Sequence, residues 1–461
     1  MAIRKGLAGV SLIFACGTAL FSDGYANGII GSANTLLTRI YPPSAFGGTN
    51  YSNTLTSVAF AGTVLGMLLF GWISDKLGRK FGMMSAAAIV ALFSALSATS
   101  TGVNHSVSGM LTMLCACRFL LGIGVGAEYP CGSVSASEQT EQDGIAKNAQ
   151  HRWLVLATNT VLDFGFIVAA FVPLVLHWIF GPNHLRAVWR ISLGLGVVPA
   201  AAVFFWRLRM EEPDCYKRNS MKTVRIPYGL VLKRYWKSLL GLSLAWFIYD
   251  FISYPFNIYS STITNNITGG NKSLTVVFGW TVVITSFGFP GTVIGAFLID
   301  YFGPKAMMIS GLIAQATIGF IMSGLYSSLT EHIAGFAVIY GIFQSFAQVG
   351  PGNCLGVIAA KSGPTAVRGQ YYGVAAATGK ISKDVAIMLT ECIIAFGGSK
   401  SARGNTGPFW IASGLSLLSA LVTLLLVRPL THDGMKAEDE AFRLYLEKNG
   451  FDVSSMGVQG D

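Results

Sequence analysis

Apolar residues in this chain gather into long runs; they do not alternate with polar ones. The runs fall near 7–31, 51–73, 81–102, 108–132, 153–176 and 188–206, and again near 236–262, 274–299, 306–326, 332–358, 370–396 and 408–427. A helix needs about 20 predominantly apolar residues to cross a bilayer, so twelve runs predict twelve transmembrane helices. The polar segment 207–235 separates them six and six. The expected fold is an all-α membrane protein: two pseudo-symmetric six-helix bundles, 1–206 and 236–427, a central loop over 207–235 and a tail over 428–461.

Composition removes the soluble alternatives. Of 461 residues, 52% are hydrophobic and only 12% charged, against roughly 25% charged in a soluble domain. Mean hydropathy is +0.55. That excludes a soluble enzyme, a disordered chain and a disulfide-stapled module. The formal net charge of +10 does not point to nucleic acid, because Lys and Arg collect in short segments between the apolar runs. Loops on the cytoplasmic side concentrate these residues, and 207–235 holds Arg207, Arg209, Lys217, Arg218, Lys222, Arg225, Lys233 and Arg234. It is therefore placed inside, and with an even number of spans on each side both termini are placed inside too. The first run follows MAIRKG without a small-residue cleavage site, and reads as a retained span. Most of the seven Cys lie within apolar runs and read as small buried hydrophobes. The sequons at Asn50, Asn104, Asn266 and Asn271 fall in or beside loops placed outside, in keeping with a plasma-membrane glycoprotein.

The halves repeat. Asp23 and Asp250 are 227 residues apart, Asp75 and Asp300 225, and Glu128 and Asn353 225. A constant offset near half the chain suggests duplicated bundles with a site at their interface. After the second run stands Gly71-Trp72-Ile73-Ser74-Asp75-Lys76-Leu77-Gly78-Arg79-Lys80, with a degraded copy over 295–305 that keeps Asp300, Gly303 and Lys305. An acid and a basic pair in a tight turn can lock neighbouring helix ends and release them in another state. The fourth run carries Arg118 followed by Gly122, Gly124 and Gly126. The glycines allow close helix contact, and Arg118 needs a polar surrounding within a span. Together these motifs resemble the signature loop and fourth span of the major facilitator superfamily.

An ionisable residue at the centre of a span costs about 2.5–3.5 kcal/mol on the insertion scale, so each is a functional candidate. They are Asp23, Arg118, Glu128, Asp163, Asp250, Lys380, Lys383, Asp384 and Glu391. Trp246, Asp250 and Tyr254 recur every four residues and share one helix stripe. Lys380 has Asp384 one turn on, and a self-satisfied Lys–Asp pair is the competing reading there.

Asp-x-Tyr at Asp23, Gly-Ala-Glu-Tyr-Pro around Glu128, Trp-x3-Asp-x3-Tyr from Trp246, Gly-Pro-Gly-Asn ending at Asn353 and Thr-Gly-Lys ending at Lys380 resemble the phosphate:proton symporter family. EYPCGSVSASEQTE and TNTVLDFGF resemble the fungal glycerophosphodiester (glycerophosphoinositol) permeases within it. The resemblance spans all twelve runs. It implies substrate contacts from Tyr129, Asp163, Trp246, Asp250, Tyr254, Asn353 and Lys380, proton handling by Asp23, Glu128 and Asp250, and gating or structural roles for Asp75, Arg79, Arg118 and Asp300. Inorganic-phosphate members carry Asp where Glu128 stands and Gln where Asp163 stands. An added carboxylate repels a dianion but accepts from polyol hydroxyls, which favours a phosphodiester over free phosphate. The expected partners are an organic phosphate, protons and the lipid bilayer. The expected assembly is a monomer without metal or cofactor, and not an enzyme. A nutrient receptor, a membrane hydrolase, an inorganic phosphate symporter and a sugar carrier are the alternatives.

Overall fold

The computed structural model describes residues 2–41, 51–142, 144–267, 273–397, 402–454 and 456–457. Side chains are described except at 2–8, 51–53, 254–267, 330–331, 333–334, 383–397 and 402–405. Tyr254, Lys383, Asp384, Glu391 and the sequon residues Asn50, Asn266 and Asn271 thus fall outside the described side chains.

Among the described residues the helices line up as twelve spans. Span one joins Ala2–Gly17 to Leu20–Ile40, span two is Tyr51–Lys76 and span three Arg79–Ala98. Span four covers Val107–Thr140, span five Lys147–Phe180 and span six Pro182–Arg207. Span seven is Tyr228–Ile267, span eight Leu274–Phe302 and span nine Pro304–Gly324. Span ten joins Ile333–Ala347 to Asn353–Ser362, span eleven is Arg368–Gly397 and span twelve Ala402–Leu426. Eight of these are long and apolar enough on their own to cross a membrane. Spans one, seven and eleven carry Asp23, Asp250 and Lys380, the polar residues around which the halves meet.

Spans four and ten each pass through one wide π turn, Tyr129–Ser133 and Gln348–Gly352. Each turn contains a proline, Pro130 or Pro351, whose missing N–H breaks the regular ladder. The turns begin 219 residues apart (348 − 129). Their prolines lie 221 apart (351 − 130), so spans four and ten match at a shorter offset than the 225 that pairs Glu128 with Asn353.

The Asp75 and Asp300 loops do behave as copies. Gly78 and Gly303 precede spans three and nine with φ of 135° and 78°, a backbone region that side chains rarely adopt. Each aspartate then caps a helix start in the opposite half. Asp75 accepts from the N–H groups of Gly369 and Gln370 at 2.9 and 2.8 Å. Asp300 accepts from those of His151 and Arg152, both at 3.0 Å. A helix N-terminus, with free N–H groups and the positive end of its dipole, suits such a carboxylate.

Two further elements lie at this end, here called the linker face. Asp214–Asn219 forms a short helix within the central loop, and Tyr216 donates to the Asp75 carbonyl at 3.0 Å. The tail, which looks mixed-charge and uninformative in sequence, forms the helix Gly434–Lys448 and buries Met435, Asp439, Phe442 and Leu446. Their spacing of four, three and four makes one helical stripe. Arg207, read above as the first loop residue, is instead the fully buried last residue of span six.

Candidate functional site

Spans one, four, seven and eleven converge on one cation. The Nζ of Lys380 lies 3.7 Å from Asp250 Oδ2 and 5.2 Å from the centre of the Tyr129 ring. All three residues are buried. The contact is an ion pair without a hydrogen bond, and Asp250 Oδ2 has no hydrogen-bond partner. Trp246, one turn before Asp250, stands edge-on to Tyr372 with centroids 5.6 Å apart. Tyr372 in turn lies 6.4 Å from Tyr129. Gly379 fits this wall because any Cβ there would strike the Trp246 indole. From span one, Asp23 accepts from Asn27 Nδ2 and neighbours the Tyr129 phenol. The ammonium thus lies between a carboxylate of the second half and an aromatic face of the first.

A second polar layer ties span five to spans eight and ten. Thr292 donates to Asp163 Oδ2. Asn159 donates from Nδ2 to Asn353 Oδ1 at 2.8 Å, and Asn353 donates to the Thr292 carbonyl at 2.9 Å. Thr158 breaks span five immediately before Asn159, with φ −113° and ψ −81°. Tyr249, beside Asp250 in sequence, feels both Asp250 and Asp163, so the two layers adjoin. Asn353 is 1% exposed and its amide is used on both sides by protein groups.

Glu128 and Arg118 are engaged by other partners, although Asp23 lies near enough to act on Glu128. Arg207 Nη1 and Nη2 donate to the two Glu128 oxygens at 2.8 and 2.9 Å. Arg207 spends its remaining donors on the carbonyls of Ala15, Met83 and Cys16. This fork is saturated and holds spans one, three, four and six together. Arg118 donates to the Ala26 carbonyl at 2.7 Å, joining span four to span one.

The linker face is closed by a denser network. Arg79 donates to Ser74, Asp75, Glu138 and the Thr365 carbonyl at 2.5–3.2 Å, and Tyr216 packs 4.9 Å beneath its guanidinium. Arg368 of span eleven donates to Glu138 at 3.0 Å. The tail completes the closure: Asp439 accepts from Thr365 N–H and Oγ1, both at 2.6 Å, and from Asn219 at 3.1 Å.

Of the residues singled out by sequence, the structure groups Tyr129, Trp246, Asp250, Lys380 and Asp23 together. Asp163 and Asn353 lie in the adjoining layer, and Asp75, Arg79 and Asp300 in the closure. Residues missed by the sequence reading are Tyr372, Asn159, Thr292, Glu138, Arg207 and Asp439. Glu138 lies past the fourth apolar run in the polar stretch SVSASEQTEQ, where nothing local distinguishes a buried acid from a loop charge.

The sequence profile of the family described as sugar (and other) transporter matches residues 10–223 and, a second time, 220–436. The chain belongs to this family. Two relatives of this transporter are a glycerophosphocholine permease of Candida albicans, 42% identical over 97% of this chain and 84% of its own length, and a major glycerophosphoinositol permease of the same yeast, 41% identical with the same coverage. The glycerophosphoinositol transporter 1 of Saccharomyces cerevisiae is 34% identical over 96% of this chain and 84% of its own. The transporter also shares its major facilitator fold with the proton:xylose symporter XylE bound to a bromo-deoxyglucose, at TM-score 0.77, 15% identity and coverage of 95% and 99%. It likewise resembles the E. coli fucose:proton symporter, at TM-score 0.63, 13% identity and coverage of 90% and 98%. At these identities the likeness to the symporters is one of fold.

Proposed function

We propose that this transporter imports glycerophosphodiesters together with protons, by alternating access of its halves around Lys380. The observation that carries this reading is the loose Lys380–Asp250 pair, buried at the meeting of both halves with one carboxylate oxygen unpartnered. An anion approaching this neutral pair gains little. Protonating Asp250 leaves Lys380 uncompensated in a poorly solvated place, which is costly until an anion arrives. Proton and phosphodiester therefore favour each other's binding, and that reciprocal coupling is symport. Lys380 takes the phosphoryl oxygens by charge-assisted hydrogen bonds, with Tyr129 and Trp246 shaping the walls. Asp23 lies on the proton route. The Asp163–Asn159–Asn353 layer faces the polyol, whose hydroxyls suit carboxylate and amide acceptors. Glu128, fixed by Arg207 beside Asp23, positions span four next to the proton route.

The linker face is taken as cytoplasmic, on its Lys and Arg content. The closed network there corresponds to the outward-facing side of the cycle. The relatives named as glycerophosphodiester permeases support the substrate class. Counterflow of labelled glycerophosphoinositol in proteoliposomes tests the reading: a carrier exchanges it intact, a receptor binds without exchange, and a hydrolase alters it. Competition by inorganic phosphate, glycerophosphocholine and inositol across pH then ranks the substrates. Uptake against a gradient that survives Asp250→Asn would remove Asp250 from the coupling.

A further inference from the structure

The linker face holds a side-chain cluster in which two imidazoles, used by neither the anion site nor the ionic closure, flank the closure residue Asp300. His151 opens span five, Asp300 ends span eight, and His432 lies between span twelve and the tail helix. One ligand atom from each lies within 4.8 Å of the other two. The two imidazoles stack with centroids 4.9 Å apart and planes 23° apart. His151 is 1% exposed, yet its Nδ1 has no hydrogen-bond partner, and neither has the Nδ1 of His432. Buried ring nitrogens are normally satisfied, and two unsatisfied ones side by side need a reason. Asp300 is oriented by the N–H groups of His151 and Arg152, as a supporting shell orients a ligating carboxylate. His432 is only partly buried.

Two of the surrounding cations are paired with acids, and Arg152 acts on Asp300 itself. Lys361, which faces His151 and Asp300, lies 3.5 Å from Glu141. Lys147 is paired with Asp433, and the Arg152 guanidinium rests on the Trp153 and Phe297 rings.

We propose that His151, Asp300 and His432 form a transition-metal site of the zinc class. Two neutral imidazoles and one carboxylate are a borderline-soft N/N/O donor set suited to a tetrahedral ion, with water in the fourth position. Side-chain rotation would bring the donors from within 4.8 Å to the roughly 3.4 Å edge that Zn–N bonds of about 2.0–2.1 Å require. The three ligands come from the first half, the second half and the tail. A bound ion therefore ties these pieces together while the linker face is closed. On the alternating-access reading above, such an ion arrests the carrier in that state.

The test uses the full chain purified in detergent, titrated with Co²⁺ and read by the visible bands of the tetrahedral ion. Saturable binding, displaced by Zn²⁺ and weakened about tenfold or more in His432→Ala and in His432→Gln, is expected. Absence of saturable binding, or unchanged binding in both variants, overturns the site. This measurement needs no transport, so it fails or succeeds independently of the substrate assignment. In vesicles, Zn²⁺ on the linker side should abolish counterflow by the parent, reversibly with EDTA, and leave His432→Ala active. Binding without inhibition overturns the bridging role.

Discussion

The linker face and the Lys380 site are built from the same residue types and finished differently. At the linker face, Arg79 has a partner on each terminal nitrogen and on Nε, and within the first half Glu128 likewise receives both forks of Arg207. Around Lys380 the nearest carboxylate oxygen stays 3.7 Å away and accepts no hydrogen bond. A completed network resists change, because removing any member strands a buried charge. An incomplete one gains by taking up a proton or a ligand. On the proposed reading, the difference separates the residues that hold the protein's shape from those that work on cargo, although every one of them is an ionisable residue within or beside a span.

The largest expected effect breaks the completed side. Arg207→Leu should cost about 3–5 kcal/mol of stability by leaving Glu128 buried and unpaired, read as a lower thermal midpoint in detergent. Asp250→Asn should lower that midpoint by clearly less, because the pair it breaks lies 3.7 Å apart without a hydrogen bond, while abolishing proton-driven accumulation. Equal destabilisation by both would erase the contrast.

Next in size, Lys380→Ala removes a charge-assisted hydrogen bond worth about 1.5–3 kcal/mol. Substrate affinity should fall roughly 10- to 150-fold, measured by equilibrium binding. An unaltered affinity would take Lys380 out of the site.

A smaller shift is expected from Asp439→Ala, which frees the Thr365 hydroxyl and N–H and loosens Arg368. The closed linker face should lose about 1–3 kcal/mol against the open one, seen as faster labelling of a cysteine placed at Gln370. Labelling at the parental rate would deny the tail a part in the closure.

Least affected should be Asp433→Asn. The Lys147 ammonium, with Gln150, holds the Asp433 carboxyl below its ordinary value of 3.8. Its contribution is therefore full at neutral pH and is lost only as pH falls through that depressed value. The pH profile of uptake between about 5 and 8 should match the parent's. A displaced profile would mean that this exposed pair takes part in coupling.

Much of this division was legible in the chain. Twelve apolar runs, the Asp75 and Asp300 loops and the ionisable residues within spans stand out because lipid makes each deviation costly. What stayed hidden depended on partners distant in sequence. Arg207 sits at an apolar run's end beside Arg209, where a loop charge and a buried fork look identical until Glu128 is placed opposite. Tyr372 lies in an ordinary apolar stretch, and nothing local tells a wall of the site from packing. Asn159 and Thr292 are small polar residues of a kind that often satisfies its own helix. The tail is the exception: the stripe Met435, Asp439, Phe442, Leu446 could have been read directly.

The way Asp75 crosses between the halves bears on how such carriers diverge. Two of its bonds end on peptide N–H groups, at Gly369 and Gln370, which any residue but proline supplies. At Gly369 a Cβ would crowd the Gly71 carbonyl and Asp75 itself, so only that position is fixed by shape. Glu138, by contrast, needs a guanidinium opposite it. Segments exchanged among related permeases should therefore keep the first contact with little regard to side chain, while the second survives only if acid and base travel together.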